Sequence, residues 1–318
     1  MIEVKNLIKK YGETLAVDDI SFTIDKGRIY GFLGPNGAGK STTMNIMTGY
    51  LAATKGEVRI NGYDVLKEPE SFKKSVGYLP ETPPVYMDMT VVEYLDFAAE
   101  LKDIPKTERK TQRDVVIGKL KLEPVKNKLI SNLSKGYRQR VGLAQAIMGF
   151  PETVILDEPM VGLDPQQIIE MRELIRSLAK NHTVILSSHI LAEVSELCDY
   201  LLIISEGKLV AQGSPEALEK QFVGGDGIDM EARGTLEQIK KIISSIYHVK
   251  AAEYMAMGED RYKIKITPEK GFDLREALFF AFASGGCPIL VMYERKGTLE
   301  DVYLKLTQKG EVFIERNI

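Results

Sequence analysis

The chain has 318 residues, of which 44% are hydrophobic and 27% charged, with a net charge of −3. That length points to about two domains at ~150 residues each, the apolar fraction excludes a disordered chain, and the charge balance offers none of the basic excess that nucleic-acid binding usually requires. Two cysteines, Cys198 and Cys287, stand far apart in no metal-ligand spacing, as reduced thiols do.

The start, MIEVKNLIKKYG, is too polar for a signal peptide. Short β-type runs follow at Ile2–Lys5, Ile20–Ile24 and Ile29–Leu33, then Val58–Ile60 and Ser75–Leu79. Lys26-Gly27 and Asn61-Gly62 read as turns. From Thr90 the period lengthens: Thr90 and Glu93 form a capping-box pattern opening a helix over Val91–Leu101. A polar helical stretch covers Thr107–Leu122, and another helix runs from about Lys135 to Met148, stopped by Gly149 and Pro151. Residues from about 82 to 150 therefore read as a helical insertion between strands.

Two apolar runs, Thr153–Leu156 and Thr183–Leu186, lack polar alternation, as central strands of a parallel sheet do. Between them a helix starts at Asp164-Pro165, a capping side chain before a first-turn proline. A short helix at about Ile190–Leu197 precedes a hairpin, Leu201–Ser205 and Lys208–Ala211, turning at Glu206-Gly207. Gly224-Gly225-Asp226-Gly227 is the expected linker, within residues 223–227. Beyond it come helices Thr235–Ser245, Asp273–Ala283 and Leu299–Thr307 among about four strands, including Tyr262–Ile266 and Ile289–Tyr293. These predict a small α+β domain over 228–318, for which a ferredoxin-like arrangement is one candidate. The apolar segment Ala277–Tyr293 is interrupted by Ser284, Gly285, Gly286 and Pro288, so it falls short of the ~20 apolar residues of a membrane span and is expected to form core. His182 and His248 have no motif around them and are expected at the surface.

Three segments carry chemistry. Residues 34–41 read GPNGAGKS, between a strand and a helix. N–H groups at that helix start, with the helix dipole, favour phosphate. Gly34, Gly37 and Gly39 let the backbone come close, Lys40 would reach the β- and γ-phosphates, and Ser41 would offer its hydroxyl to Mg²⁺. Residues 154–158 read VILDE, delivering Asp157 and Glu158 to the carboxyl end of a strand, where open sheets bind ligands. Asp157 suits Mg²⁺, and Glu158 suits orienting or deprotonating an attacking water. Residues 132–140 read NLSKGYRQR at a helix start, where Ser134 can cap and the N–H groups near Gly136 can face an anion.

In this order, with GLDP at 162–165 and His189 after TVILSS, these motifs resemble those of the ATP-binding subunits of ABC transporters: Walker A, signature, Walker B, D-loop and H-loop, over residues 1 to about 220. The chain is most similar to the bacterial export type, multidrug or lipid, in which the membrane protein is a separate chain and a C-terminal domain ends in a segment like GTLEDVYLKLT at 297–307. The resemblance implies an α/β P-loop NTPase fold over 1–222, with a mixed sheet core, a helical subdomain and an antiparallel β subdomain. It implies ATP and Mg²⁺ as ligands. Gly34, Pro35, Asn36, Gly37, Ala38, Gly39, Lys40, Ser41 and Thr42 would cradle the phosphates, and Tyr11 would stack on adenine, worth ~1–3 kcal/mol. Ser134 and Gly136 would touch the γ-phosphate held by a second subunit in a head-to-tail dimer, and Asp164 would be a further nucleotide-binding residue. Glu158, His189 and Lys40 would be catalytic, and Ser41, Asp157 and Glu81 would face the metal.

Two departures stand out. Glu81 occupies the place after VGYLP where the family usually has glutamine, adding negative charge near Asp157 and Glu158. LSKGY replaces the commoner LSGGQ while keeping Ser134 and Gly136. The implied partners are a second copy and a separate transmembrane permease, docking near the helical insertion and Glu81, with no nucleic acid. The implied location is the cytoplasmic face of the cell membrane. The competing reading is a soluble ABC-type ATPase acting on ribosomes or DNA, but the paired cassettes or coiled coils of such proteins are missing. A P-loop kinase would leave NLSKGYRQR and GLDP unexplained. The C-terminal domain shows no catalytic cluster, and packing, dimer-stabilising and regulatory roles all stay open.

Overall fold

The computed structural model describes residues 1–222, 227–269, 271–295 and 298–308. Two compact units emerge, the first built on Met1–Pro215 and the second on Glu216–Lys305. Of the expected linker, all but Gly227 lies outside the described residues.

In chain order the elements up to the helical insertion are β1 (Ile2–Tyr11), β2 (Thr14–Ile24), β3 (Ile29–Leu33), α1 (Lys40–Met47), β4 (Lys55–Ile60), β5 (Tyr63–Asp64), α2 (Pro69–Ser75) and β6 (Val76–Leu79). The insertion holds α3 (Val91–Leu101), α4 (Lys106–Lys119) and α5 (Lys135–Ile147). Then follow β7 (Thr153–Leu156), α6 (Pro165–Ala179), β8 (Thr183–Ser188), α7 (Leu191–Ser195), β9 (Tyr200–Ser205), β10 (Lys208–Gly213) and α8 (Pro215–Phe222).

A six-stranded sheet in the order β10-β9-β3-β8-β7-β6 forms the centre of the first unit. Its strands are parallel except β10, which pairs antiparallel with β9. Every residue of β3, β7 and β8 is buried, which is why these strands read as unbroken apolar runs. Their register sets Leu33 beside Ser188 and Leu156 beside Leu186, so all three strands deliver their carboxyl ends to one edge. A second, antiparallel sheet runs β2-β1-β4-β5. It buries Ile2, Val4, Ile20, Phe22 and Ile24 in one core with Phe32 of β3, Met44 and Met47 of α1, and Ile155 and Ile185. Helix α1 is thus locked between two sheets.

The caps fall where the sequence puts them. Thr90 accepts the Glu93 N–H while Glu93 accepts the Thr90 N–H, and Ser134 and Asp164 cap α5 and α6. Some expectations fail. β1 continues to Tyr11 rather than stopping at Lys5, because irregular pairing and a left-handed Asn6 (φ 45°) break the two-residue period. Ser75 closes the short helix α2, whose single buried residue, Phe72, leaves no period to read. His182 is buried, 4% exposed. Its Nδ1–H donates to the Pro151 carbonyl at 2.6 Å, and burial pulls its pKa down, so a neutral ring ties the turn before β8 to the segment before β7.

The second unit contains β11 (Gly227–Arg233), α9 (Leu236–Ser244), β12 (Val249–Gly258), β13 (Arg261–Pro268), α10 (Arg275–Ser284) and β14 (Ile289–Arg295), with α11 (Leu299–Gln308) closing the described chain. Its antiparallel sheet has the order β12-β13-β11-β14. One face of that sheet packs Ile228, Met230, Ile264 and Ile266 on Ile239 and Ile243 of α9 and Leu278 and Phe282 of α10. Ala277–Tyr293 is therefore core on one side only: Phe279, Phe280, Val291 and Tyr293 are exposed. Among the described residues no helix is long and apolar enough to cross a membrane.

Candidate active site

The chain leaves β3 at Leu33 and turns through residues 34–39 into α1. Gly34 cannot carry a side chain, since a Cβ would lie 2.2 Å from the Ile204 carbonyl oxygen. Gly39 has φ 104°, a left-handed value, and a Cβ there would meet the Ala16 carbonyl oxygen at 2.5 Å. The first amides of α1 have no carbonyl within the helix to bind. They face outward with the positive end of the dipole, a ready anion site. Lys40 Nζ folds back and donates to Gly34 O at 2.8 Å and Pro35 O at 3.1 Å. Burial lowers the Lys40 pKa, while Glu158 and Asp157 push it back up.

Asp157 and Glu158 follow β7 directly. The Asp157 N–H donates to Leu79 O at 2.8 Å, tying the carboxylate to the end of β6. Asp157 Oδ1 accepts from Ser41 Oγ at 3.3 Å and from Ser187 Oγ at 2.6 Å. Glu158 sits at φ 47°, in the left-handed region, a backbone state that costs a non-glycine residue ~1–3 kcal/mol unless its surroundings hold it. Its N–H donates to Ser187 Oγ at 2.9 Å. Its carboxylate lies 3.9 Å from Lys40 Nζ, and both its oxygens lie 3.1 Å from His189 Nδ1. His189 is presented by the turn after β8, where Ser188 Oγ accepts the Ile190 N–H at 3.0 Å and donates to Glu193 at 2.7 Å.

A cavity of about 390 Å³ gathers Asn36, Gly37, Gly39, Lys40, Ser41, Thr42, Glu81, Glu158 and His189. Asp157 does not line it but bonds to Ser41, and lines a neighbouring cavity together with Ser41 and Glu81. Pro35 and Ala38 shape the loop, Ala38 N–H donating to Pro35 O at 3.2 Å. Ser41 and Asp157 put two hard oxygen donors side by side, and among the described residues no group of three metal-type side chains forms. That donor set suits Mg²⁺, which takes one or two protein carboxylates and shares the phosphates of a substrate. Glu81 borders a second cavity of about 710 Å³, lined also by Tyr50, Phe72, Lys73 and Gln145.

The other expected residues lie elsewhere. Tyr11 stands at the tip of the β1–β2 hairpin, 49% exposed, and does not line the cavity. Ser134 and Gly136 open α5, where a Cβ on Gly136 would meet the Gln167 side chain of α6 at 2.7 Å. Asp164 caps α6, and Lys135 Nζ covers Gly162, 2.2 Å from where a Cβ would stand. NLSKGYRQR and GLDP thus adjoin one another, and Ser134, Gly136 and Asp164 do not line the cavity that holds Lys40. Sequence reading missed Ala16 and Val161, apolar lining residues without any signal, and Ser187. The signal for Ser187 was a hydroxyl ending an otherwise apolar run.

Residues 17–161 match the family model described as ABC transporter. Over 314 residues, 98% of this chain and 99% of the relative, the sequence is 33% identical to the bacitracin transport ATP-binding protein BcrA of Bacillus licheniformis. Over 307 residues, 96% of each chain, it is 31% identical to the Nod factor export ATP-binding protein I of Burkholderia orbicola. A solved structure of an ATP-binding subunit of an ABC transporter aligns with a TM-score of 0.64 at 32% identity, covering 70% of this chain and 93% of that one.

Proposed function

The chain belongs to the ABC transporter family as an ATP-binding subunit, and from that membership we propose that it hydrolyses ATP to ADP and phosphate to power export through a separate membrane permease. The observation that carries the reading is the convergence of Lys40, Ser41, Glu158 and His189 around one cavity at the carboxyl edge of the parallel sheet, with Asp157 bonded to Ser41. Phosphoryl transfer needs positioning and charge stabilisation more than covalent chemistry, and these side chains supply both. The α1 amides and Lys40 hold the phosphates. Glu158, fixed by His189 and Lys40, takes the place of the group that orients the attacking water. Mg²⁺, held by Ser41 and Asp157 with Glu81 nearby, would neutralise phosphate charge.

Ser134, Gly136 and Asp164 lie off this cavity in their own chain, which favours a site completed by a second copy, head to tail. The phosphate would then bridge the two copies, and its loss on hydrolysis would open them. A swing from 1:99 to 99:1 needs ~5.5 kcal/mol of preference for the closed state, within reach of a few charge-assisted bonds at ~1.5–3 kcal/mol each. Tyr11 would stack on adenine. The permease would dock at the larger cavity beside Glu81, on the cytoplasmic face of the membrane. The outward direction rests on relatives named for export. The accessory domain expected over residues 228–318 is read as ferredoxin-like, from the β-α-β-β-α-β succession of β11 to β14.

Glu158→Gln tests this reading. It should keep ATP binding, cut phosphate release ~10²–10⁴-fold, the usual worth of a positioned base, and elute as an ATP-dependent dimer on size exclusion. Release within tenfold of the wild type would sink the assignment.

A further inference from the structure

Ser187 is fully buried, 0% exposed, on a strand that is apolar from Val184 to Leu186. A buried hydroxyl is costly unless its hydrogen-bonding capacity is met. Here both roles of the hydroxyl are used on two consecutive residues. It donates to Asp157 Oδ1 at 2.6 Å and accepts the Glu158 N–H at 2.9 Å. One oxygen therefore fixes the side chain of the first acid and the backbone of the second.

Each contact bears on the site. On Oδ1, the bond from Ser187 is shorter than the 3.3 Å contact from Ser41, so Ser187 sets the carboxylate's rotation while Ser41 stays the looser partner. On Glu158, the bond holds the N–H of a residue at φ 47°, the turn that sends its carboxylate to Lys40 and His189. Ser188 next in the chain points to the opposite face of the strand, as alternation demands, and holds Glu193 instead. Among the described residues, the Ser187 hydroxyl makes hydrogen bonds to these two acids and to no other residue assigned to the nucleotide.

We propose that Ser187 is a positioning residue that sets the geometry of Asp157 and Glu158 together, and so governs metal-dependent nucleotide binding and turnover but not the metal-free grip on the phosphates. The inference rests on the ATPase reading above. Partners of this kind, one shell out from a metal or reacting group, are typically worth ~10–100-fold.

The test compares wild type, Ser187→Ala and Ser187→Thr, with circular dichroism and thermal melts to certify folding. Calorimetry measures ATP affinity in EDTA and across a Mg²⁺ titration, and phosphate release gives kcat and KM. The expected result for Ser187→Ala is a kcat lowered ~10–100-fold and a Mg²⁺ midpoint raised by a similar factor, with ATP affinity in EDTA within twofold of wild type. Ser187→Thr, which keeps the hydroxyl, should recover most of both losses. Wild-type kcat and Mg²⁺ midpoint in a folded Ser187→Ala would overturn the proposal, as would an equal loss of affinity with and without Mg²⁺. If Ser187→Ala does not fold, Ser187→Thr decides: a folded Thr variant as impaired as a Glu158→Gln chain overturns the hydroxyl's role. A wild-type chain that binds no ATP overturns the ATPase reading itself.

Discussion

Replacing Lys40 with methionine removes one positive charge and its N–H donors while keeping the bulk of the side chain. The Lys40 side chain is 5% exposed, so Met, unbranched and of similar length, fills the space left behind. An ammonium has three protons. Two are already spent on Gly34 O at 2.8 Å and Pro35 O at 3.1 Å, which hold the loop itself. One is left for a phosphate oxygen. A hydrogen bond to a charged group is worth ~1.5–3 kcal/mol. At 1.4 kcal/mol per decade that is ~10–150-fold in Kd. Glu158, 3.9 Å from Nζ, tempers the attraction, so the lower half of that range is expected. The assay is calorimetric titration with ATP·Mg²⁺ and, separately, with adenosine. Lys40→Met should weaken ATP by that factor and leave adenosine unchanged. An ATP Kd within threefold of wild type refutes the argument, and an equal loss for adenosine shows that the loop collapsed instead.

Gly39→Ala should destabilise by ~1–3 kcal/mol, from a left-handed φ of 104° and a Cβ 2.5 Å from Ala16 O, and should lose ATP binding; wild-type affinity would mean the loop is not built as described. Phe282→Ala, at a side chain with 0% exposure, should cost ~3–5 kcal/mol in the second unit, seen as an early transition in urea while ATP binding persists. Lys102 carries a pH signature. Its Nζ donates to Ala146 O and Met148 O at the end of α5, and burial draws its pKa down to about 8 from 10.5. Between those values the unfolded chain holds the proton and the folded chain does not, so stability rises with pH across that window. The gain is up to about 3 kcal/mol. Lys102→Met should lack it, and denaturant midpoints at pH 7.5 and 10 that shift equally in both proteins would rule it out.

The sequence alone settled whatever depends on neighbours in the chain. A phosphate loop is a contiguous turn, so GPNGAGKS could be read from its glycines and lysine. VILDE is a strand with acids at its end, and its place after that loop in the sequence is what gives the acids their reading. The caps at Thr90, Ser134 and Asp164 are bonds across three residues, and all three form. Tertiary structure decided what long-range pairing controls. The register of β3, β7 and β8 brings Lys40, Glu158 and His189 to one edge, and no local pattern encodes it. The burial of His182 and the exposure of Phe279 and Tyr293 depend on which faces are covered. Ser187 gives the clearest case. Its sequence neighbours mark only a polar end to an apolar strand, while its function depends on two amino acids about thirty residues away, reached across the pairing of β7 with β8. A period or motif measures spacing along the chain. Hydrogen bonds between strands, and the water they exclude, exist only once the sheet has closed.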